Sequence, residues 1–167
     1  MPLYAAGQKI RGSEINALPQ LYRVQTEQSN NTTSFINCAG LAFQAEVNAV
    51  YLVELFLFFN VKKAADMLMG WTVPGGAVGL WTPAGVDAGS PSGALGNYNS
   101  FVVAIQGGGL HAASGDDSSD VYCAPHATIT NGGTAGTVQF RFSQFALDAA
   151  NPCKIRAGSC MRVSRMA

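Results

Sequence analysis

Charge is what this chain has least of. Asp, Glu, Lys and Arg supply only 12% of its 167 residues, and ten basic side chains cancel ten acidic ones. Typical domains carry about 25% charged residues. A neutral chain of this kind offers no basic patch for nucleic acid. So little charge on so apolar a chain suggests that much of its surface is buried in an assembly. Long apolar runs are missing too: no stretch reaches the roughly 20 residues a membrane-spanning helix needs. Met1 to Ile10 has no basic start followed by an apolar run, so no secretion signal is read and folding in a cytoplasm is expected.

Metal-ligating and catalytic residue types are scarce. The four cysteines, Cys38, Cys123, Cys153 and Cys160, form no CxxC pair. They read as buried free thiols, not as a zinc site. The two histidines are His111 and His126. His111 lies near Ser114, Asp116 and Asp117, but no spacing or nucleophile elbow supports a triad. His126 beside Pro125 reads as a structural histidine. Asp116, Asp117 and Asp120 lack the fixed positions of an EF-hand loop and read as a solvated turn. Gly7 to Ser13, GQKIRGS, has the glycine spacing of a phosphate loop but no Lys between Gly12 and Ser13, and no buried strand precedes it. The sequence therefore predicts no catalytic residue, no metal and no cofactor.

What the chain does have is strands. Val50 to Phe59, VYLVELFLFF, is apolar at nine of ten positions, with Glu54 the exception. A strand with one wet face alternates apolar and polar. Both faces of this one are predicted to be covered, one by the domain core and the other by a neighbouring subunit or by a long loop of the same chain, such as residues 83–97. Other segments alternate more clearly. Met67, Met69, Trp71 and Val73 share one parity. Thr137 to Phe145 sets Val138, Phe140 and Phe142 inward. Further strands are predicted over Leu21–Thr26, Phe35–Phe43 (one or two strands, broken at Gly40), Ala77–Thr82, Tyr98–Gln106, Val121–Thr130 (interrupted near Pro125) and about Ser159–Met166. About eight to ten strands separated by turn signals predict an all-β antiparallel sandwich or jelly roll.

Residues 1–19 read differently. Leu3 to Gly7 looks extended. Ser13 can cap one helical turn, Ile15 to Leu18, that Pro19 stops. So short a helix cannot stand alone in water. The chain divides into an arm, residues 1–19, and a β-domain, residues 20–167. Leu3, Tyr4, Ile10, Ile15 and Leu18 are the arm's candidate docking residues.

Three blocks carry a resemblance. They are AAGQKIRGSEINAL over residues 5–18, VYLVELFLFF with AADMLMGWTV within residues 50–73, and GTVQFRFSQFALDAANPCKIRAGSCMRVSR over residues 136–165. Together, and in this order, they resemble virion structural proteins of tailed bacteriophages that infect actinobacteria. The first is similar to an opening of the form "aGq-x-l-x-as-x-lNal", the last to "Gtlqlr-aQ" and "tvraGS-l-v-R". Cys160 departs from the pattern, which usually has Trp or Tyr after Gly-Ser. The resemblance implies a trimeric jelly roll like the heads of tumour-necrosis-factor-like proteins. Its implied partners are further copies of itself and the major capsid protein or another virion protein, and its location the virion, assembled in the host cytoplasm. On that reading Tyr51, Val53, Leu55, Leu57 and Phe59 form the trimer interface, and the chain decorates the capsid or forms a short head fibre. The alternative is a minor tail or tail-tip protein that reads host-surface glycan, with Trp81, Tyr98 and the 83–97 loop as the exposed aromatic region.

Overall fold

The computed structural model describes residues 18–86, 98–99, 102–105, 111–113 and 115–166. They form fifteen strands: β1 Gln20–Arg23, β2 Gln28–Asn30, β3 Ile36–Ala45, β4 Val50–Asn60, β5 Met67–Thr72, β6 Val78–Thr82, β7 Gly85–Val86, β8 Tyr98–Asn99, β9 Val103–Ala104, β10 His111–Ala113, β11 Val121–Cys123, β12 His126–Thr130, β13 Gly136–Gln144, β14 Cys153–Ile155 and β15 Cys160–Arg165. No helix occurs among the described residues. Leu3, Tyr4, Ile10 and Ile15, and all but Leu18 of the expected helical turn, lie outside them.

The architecture is an all-β antiparallel sandwich. The larger sheet runs β1-β15-β4-β12-β6-β9, with β11 and β14 also on β4 and β2 on β14. The smaller runs β10-β5-β13-β3, and β7 pairs with β8. β4 holds the larger sheet together because its length lets it take two partners on each edge. β15 and then β14 line one edge, and β12 and then β11 line the other. Leu55 N donates to Pro125 O at 2.8 Å, carrying the ladder across the break between β11 and β12.

Alternation decides what lies inside. Tyr51, Val53, Leu55, Leu57 and Phe59 of β4 meet Met67, Met69 and Trp71 of β5 and Val138, Phe140 and Phe142 of β13 in one core. Trp71 packs edge-on against both Trp81 and Phe140, with ring centroids 6.2 and 5.3 Å apart. Edge-to-face pairs set the positive ring edge on the negative face and add to the area buried.

Of the one or two strands expected over Phe35–Phe43, the structure has one, and Gly40 does not end it. It is a bulge within one strand. The register with β13 passes from Gln139 opposite Ala42 to Arg141 opposite Asn37, so β3 holds three more residues than β13 there. Gln139 Nε2 donates to the carbonyls of Cys38 and Leu41 at 2.9 and 3.1 Å, satisfying acceptors that the bulge takes off the ladder. β2 and β14 are strands that the pattern did not announce. Each is three residues long, too short to display a period, and they pair with one another.

Candidate interaction face

The five β4 residues assigned to a subunit interface lie instead in the protomer's own core. Val53, Leu55, Leu57 and Phe59 have no exposed surface, and Tyr51 is buried with its hydroxyl accepting from Glu46 N at 2.8 Å. The alternate parity of the strand faces out: Leu52, Glu54 and Phe56 are half-buried, and Phe58 is 44% exposed. One signal in the sequence marked that parity. Glu54 is the strand's one charged residue, and a charge belongs on the wetter face.

Registration turns this parity into a surface, because residues directly opposite in an antiparallel pair project to the same side. Beside Leu52 stand Ser164 of β15 and Thr128 of β12, and beyond Thr128 stands Leu80 of β6. Beside Phe58 stands Tyr122 of β11, with ring centroids 5.4 Å apart. Val78, Leu80 (56% exposed), Val102 and Leu21 extend the face on the flanking strands and the residue before β9. Leu52, Leu80, Val102, His126 and Thr128 line a shallow hollow of about 260 Å³. Its floor is Trp81 and Ala127, which are buried.

Ion pairs cross this face at two places, Arg162 with Glu54 and, beside Phe58, Arg156 with Asp120. Arg162 Nε donates to Glu54 Oε2 at 2.7 Å, and Nη2 lies 2.5 Å from the same oxygen as an ion pair. His126 stands opposite Glu54 on its other edge. Leu18, the one described residue among the arm's candidate docking residues, is exposed at an end of the sandwich. It lines a small polar cleft there with Gln20, Gln44, Glu46 and Arg165.

The remaining described side chains singled out in the sequence are engaged as follows. Asp116 Oδ1 accepts from Ser118 N, Ser118 Oγ and Ser119 N at 2.8–2.9 Å, which makes the loop an Asx turn. Those bonds, Ser118's first, hold its carboxyl below the usual range. Asp120, with Glu27, is bonded by Arg156. No group of three or more metal-ligating side chains occurs among the described residues. Cys38, Cys123 and Cys153 are buried thiols, and Cys160 is half-buried on the outward face beside Phe56. Burial pushes the Cys38 thiol up to about 12, and those of Cys123 and Cys153 higher still. Trp81 is 1% exposed and cannot stack on a sugar from solvent. The side chains of Tyr98 and His111 lie outside the described ones. No helix among the described residues is long and apolar enough to cross a membrane.

No family model matches the chain, and no curated protein sequence matches it. Among solved structures, the chain is similar to the tripod from the baseplate of bacteriophage Tuc2009. The match has 10% identity and a TM-score of 0.40, and covers 99% of this chain and 73% of that one. At that identity and score, the likeness carries no argument about fold or function.

Proposed function

We propose that the chain is a structural virion protein of a tailed bacteriophage, acting by binding and not by catalysis. In this reading it is a homotrimer that decorates the capsid, with residues 3–18 docking on the shell and the β-sandwich, a jelly-roll head, displayed outward. The observation that carries the reading is the ordered resemblance of three blocks. Two of them fall on the strands that build the core, β4 with β5 and β13 through β15.

The outward face of the larger sheet is the surface the copies would bury. It presents Phe58, Tyr122, Leu80, Val78 and Val102, and its charges there are paired, Glu54 with Arg162 and, beside Phe58, Arg156 with Asp120. Interface cores are depleted of charge and enriched in aromatic residues in this way. A protein that binds only the assembled shell stabilises it by mass action.

The test is labelling of intact virions with an antibody raised against residues 20–167, viewed by electron microscopy. Label spread over the head is the expected result. Label confined to the tail end overturns decoration and leaves the tail-tip reading. Absence of label from particles that contain the chain by mass spectrometry points to an internal component instead.

A further inference from the structure

We infer that Asn131 is a self-modification site that folding holds closed. Unfolding opens it to spontaneous deamidation, and the deamidated chain no longer closes the turns that Asn131 joins.

Asn131-Gly132 is the one Asn-Gly pair in the sequence. At such a pair the backbone nitrogen of the glycine attacks the side-chain amide carbon of the asparagine. The new N–C bond closes a succinimide ring. The C–N bond of the side-chain amide breaks, and ammonia leaves with the proton that the backbone nitrogen gives up. Water then opens the ring to aspartate or isoaspartate. Glycine favours the attack because no Cβ shields its nitrogen and its backbone rotates with little hindrance.

The fold denies the motions that this attack needs. Asn131 is 2% exposed, in the turn between β12 and β13. Its Nδ2 donates to Glu46 O at 2.7 Å and to Thr134 O at 2.9 Å, which holds the amide that would have to leave. Its backbone N donates to Ala49 O at 2.8 Å, and Gly132 O accepts from Asn48 N at 2.9 Å. Gly132 is packed closely as well: a Cβ built on it would meet Gly76 O at 2.8 Å. The turns from β3 to β4, β5 to β6 and β12 to β13 therefore meet at this pair, and each of them crosses from one sheet to the other. Ring closure requires the side chain to swing and the backbone of the pair to rotate, which breaks these bonds first. The reaction passes through an opened state, and its rate falls with that state's population.

The product does not fit back. Both partners of Nδ2 are carbonyl oxygens, and only an N–H donor serves them. A carboxylate sets oxygen against oxygen there, and Oδ1 has no donor among the described residues. A buried charge without donors is costly. Isoaspartate also lengthens the backbone of a turn that links the two sheets.

The test holds the full chain at pH 8 in buffer and in guanidinium chloride, with peptide mapping by mass spectrometry over time and refolding yield by circular dichroism. In denaturant Asn131 should deamidate faster than any other asparagine. In buffer its rate should be lower by at least about tenfold. Gly132→Ala should slow the reaction in denaturant, where its fit in the fold is immaterial. Asn131→Asp reproduces one product, and it should unfold at lower denaturant than wild type or fail to fold. Refolding yield should fall in step with deamidation. Equal rates in buffer and denaturant overturn the protection. A faster asparagine elsewhere in the denatured chain overturns the site. Undiminished refolding of the deamidated chain, or an Asn131→Asp variant as stable as wild type, overturns the one-way step.

Discussion

Arg162 and Glu54 stand directly opposite on β15 and β4, and one oxygen of Glu54 accepts from Nε of Arg162 while pairing with its Nη2. The side chains differ in exposure, 49% for Arg162 and 16% for Glu54. Removing the arginine therefore leaves the more buried partner without its donors. Arg162→Met is expected to cost the protomer about 1 kcal/mol, since a half-exposed pair is largely screened. Adding Glu54→Gln should restore part of that loss. A double-mutant cycle in urea reads the coupling, and a value of zero would show that the pair is ornamental to folding.

Leu57 and Phe58 are neighbours in sequence with opposite fates, because one points into the sandwich and the other out of it. Leu57→Ala should cost about 2–5 kcal/mol of unfolding free energy, the range for emptying a packed core site. Phe58→Ser should leave the protomer within about 1 kcal/mol of wild type, as surface changes usually do. In sedimentation the order reverses: Phe58→Ser should impair association. Equal destabilisation by both changes would contradict the assignment of faces.

Gly40 adopts a φ of 86°, and a Cβ built on it would meet the carbonyl oxygen of Arg23 at 2.3 Å. Backbone cannot yield as a flexible side chain can. Gly40→Ala should destabilise by at least about 2 kcal/mol, combining left-handed strain with the clash. Gly75→Ala, where nothing lies within 4 Å, should change stability little. Chemical denaturation of the two variants in parallel checks the contrast.

The thiols give a pH dependence whose sign is fixed by their burial. Cys38, Cys123 and Cys153 hold their protons to higher pH in the folded chain than unfolded, because burial disfavours the thiolate. Above an unfolded value near 9 the unfolded state sheds protons that the folded state keeps, so stability falls as pH rises from about 9 towards 12. Urea midpoints at pH 7.5 and 10 should show the decline, and Cys38→Ala should shrink it. With a thiol reagent at pH 8, Cys160 should react in the native state and the other three only on unfolding.

Much of the fold was legible because one sheet face meets a dry core. The parity of Met67, Met69 and Trp71, and that of Val138, Phe140 and Phe142, placed those side chains inside, and they are buried. The break at Pro125 was legible from the missing N–H. β2 and β14 were not, since three residues display no period.

The candidate face divides along the same line. The sequence by itself determined that β4 is a strand, that both its parities are apolar, and that one of them carries a charge. It could not say which parity faces the core, because two apolar faces look alike until β5 and β13 pack on one of them. Tertiary structure decided that Leu55 and Leu57 go inside and Phe56 and Phe58 outside. It also decided that Arg162, Glu54 and His126 form one row. Those three come from strands far apart in sequence, and only antiparallel registration across β15, β4 and β12 brings them side by side.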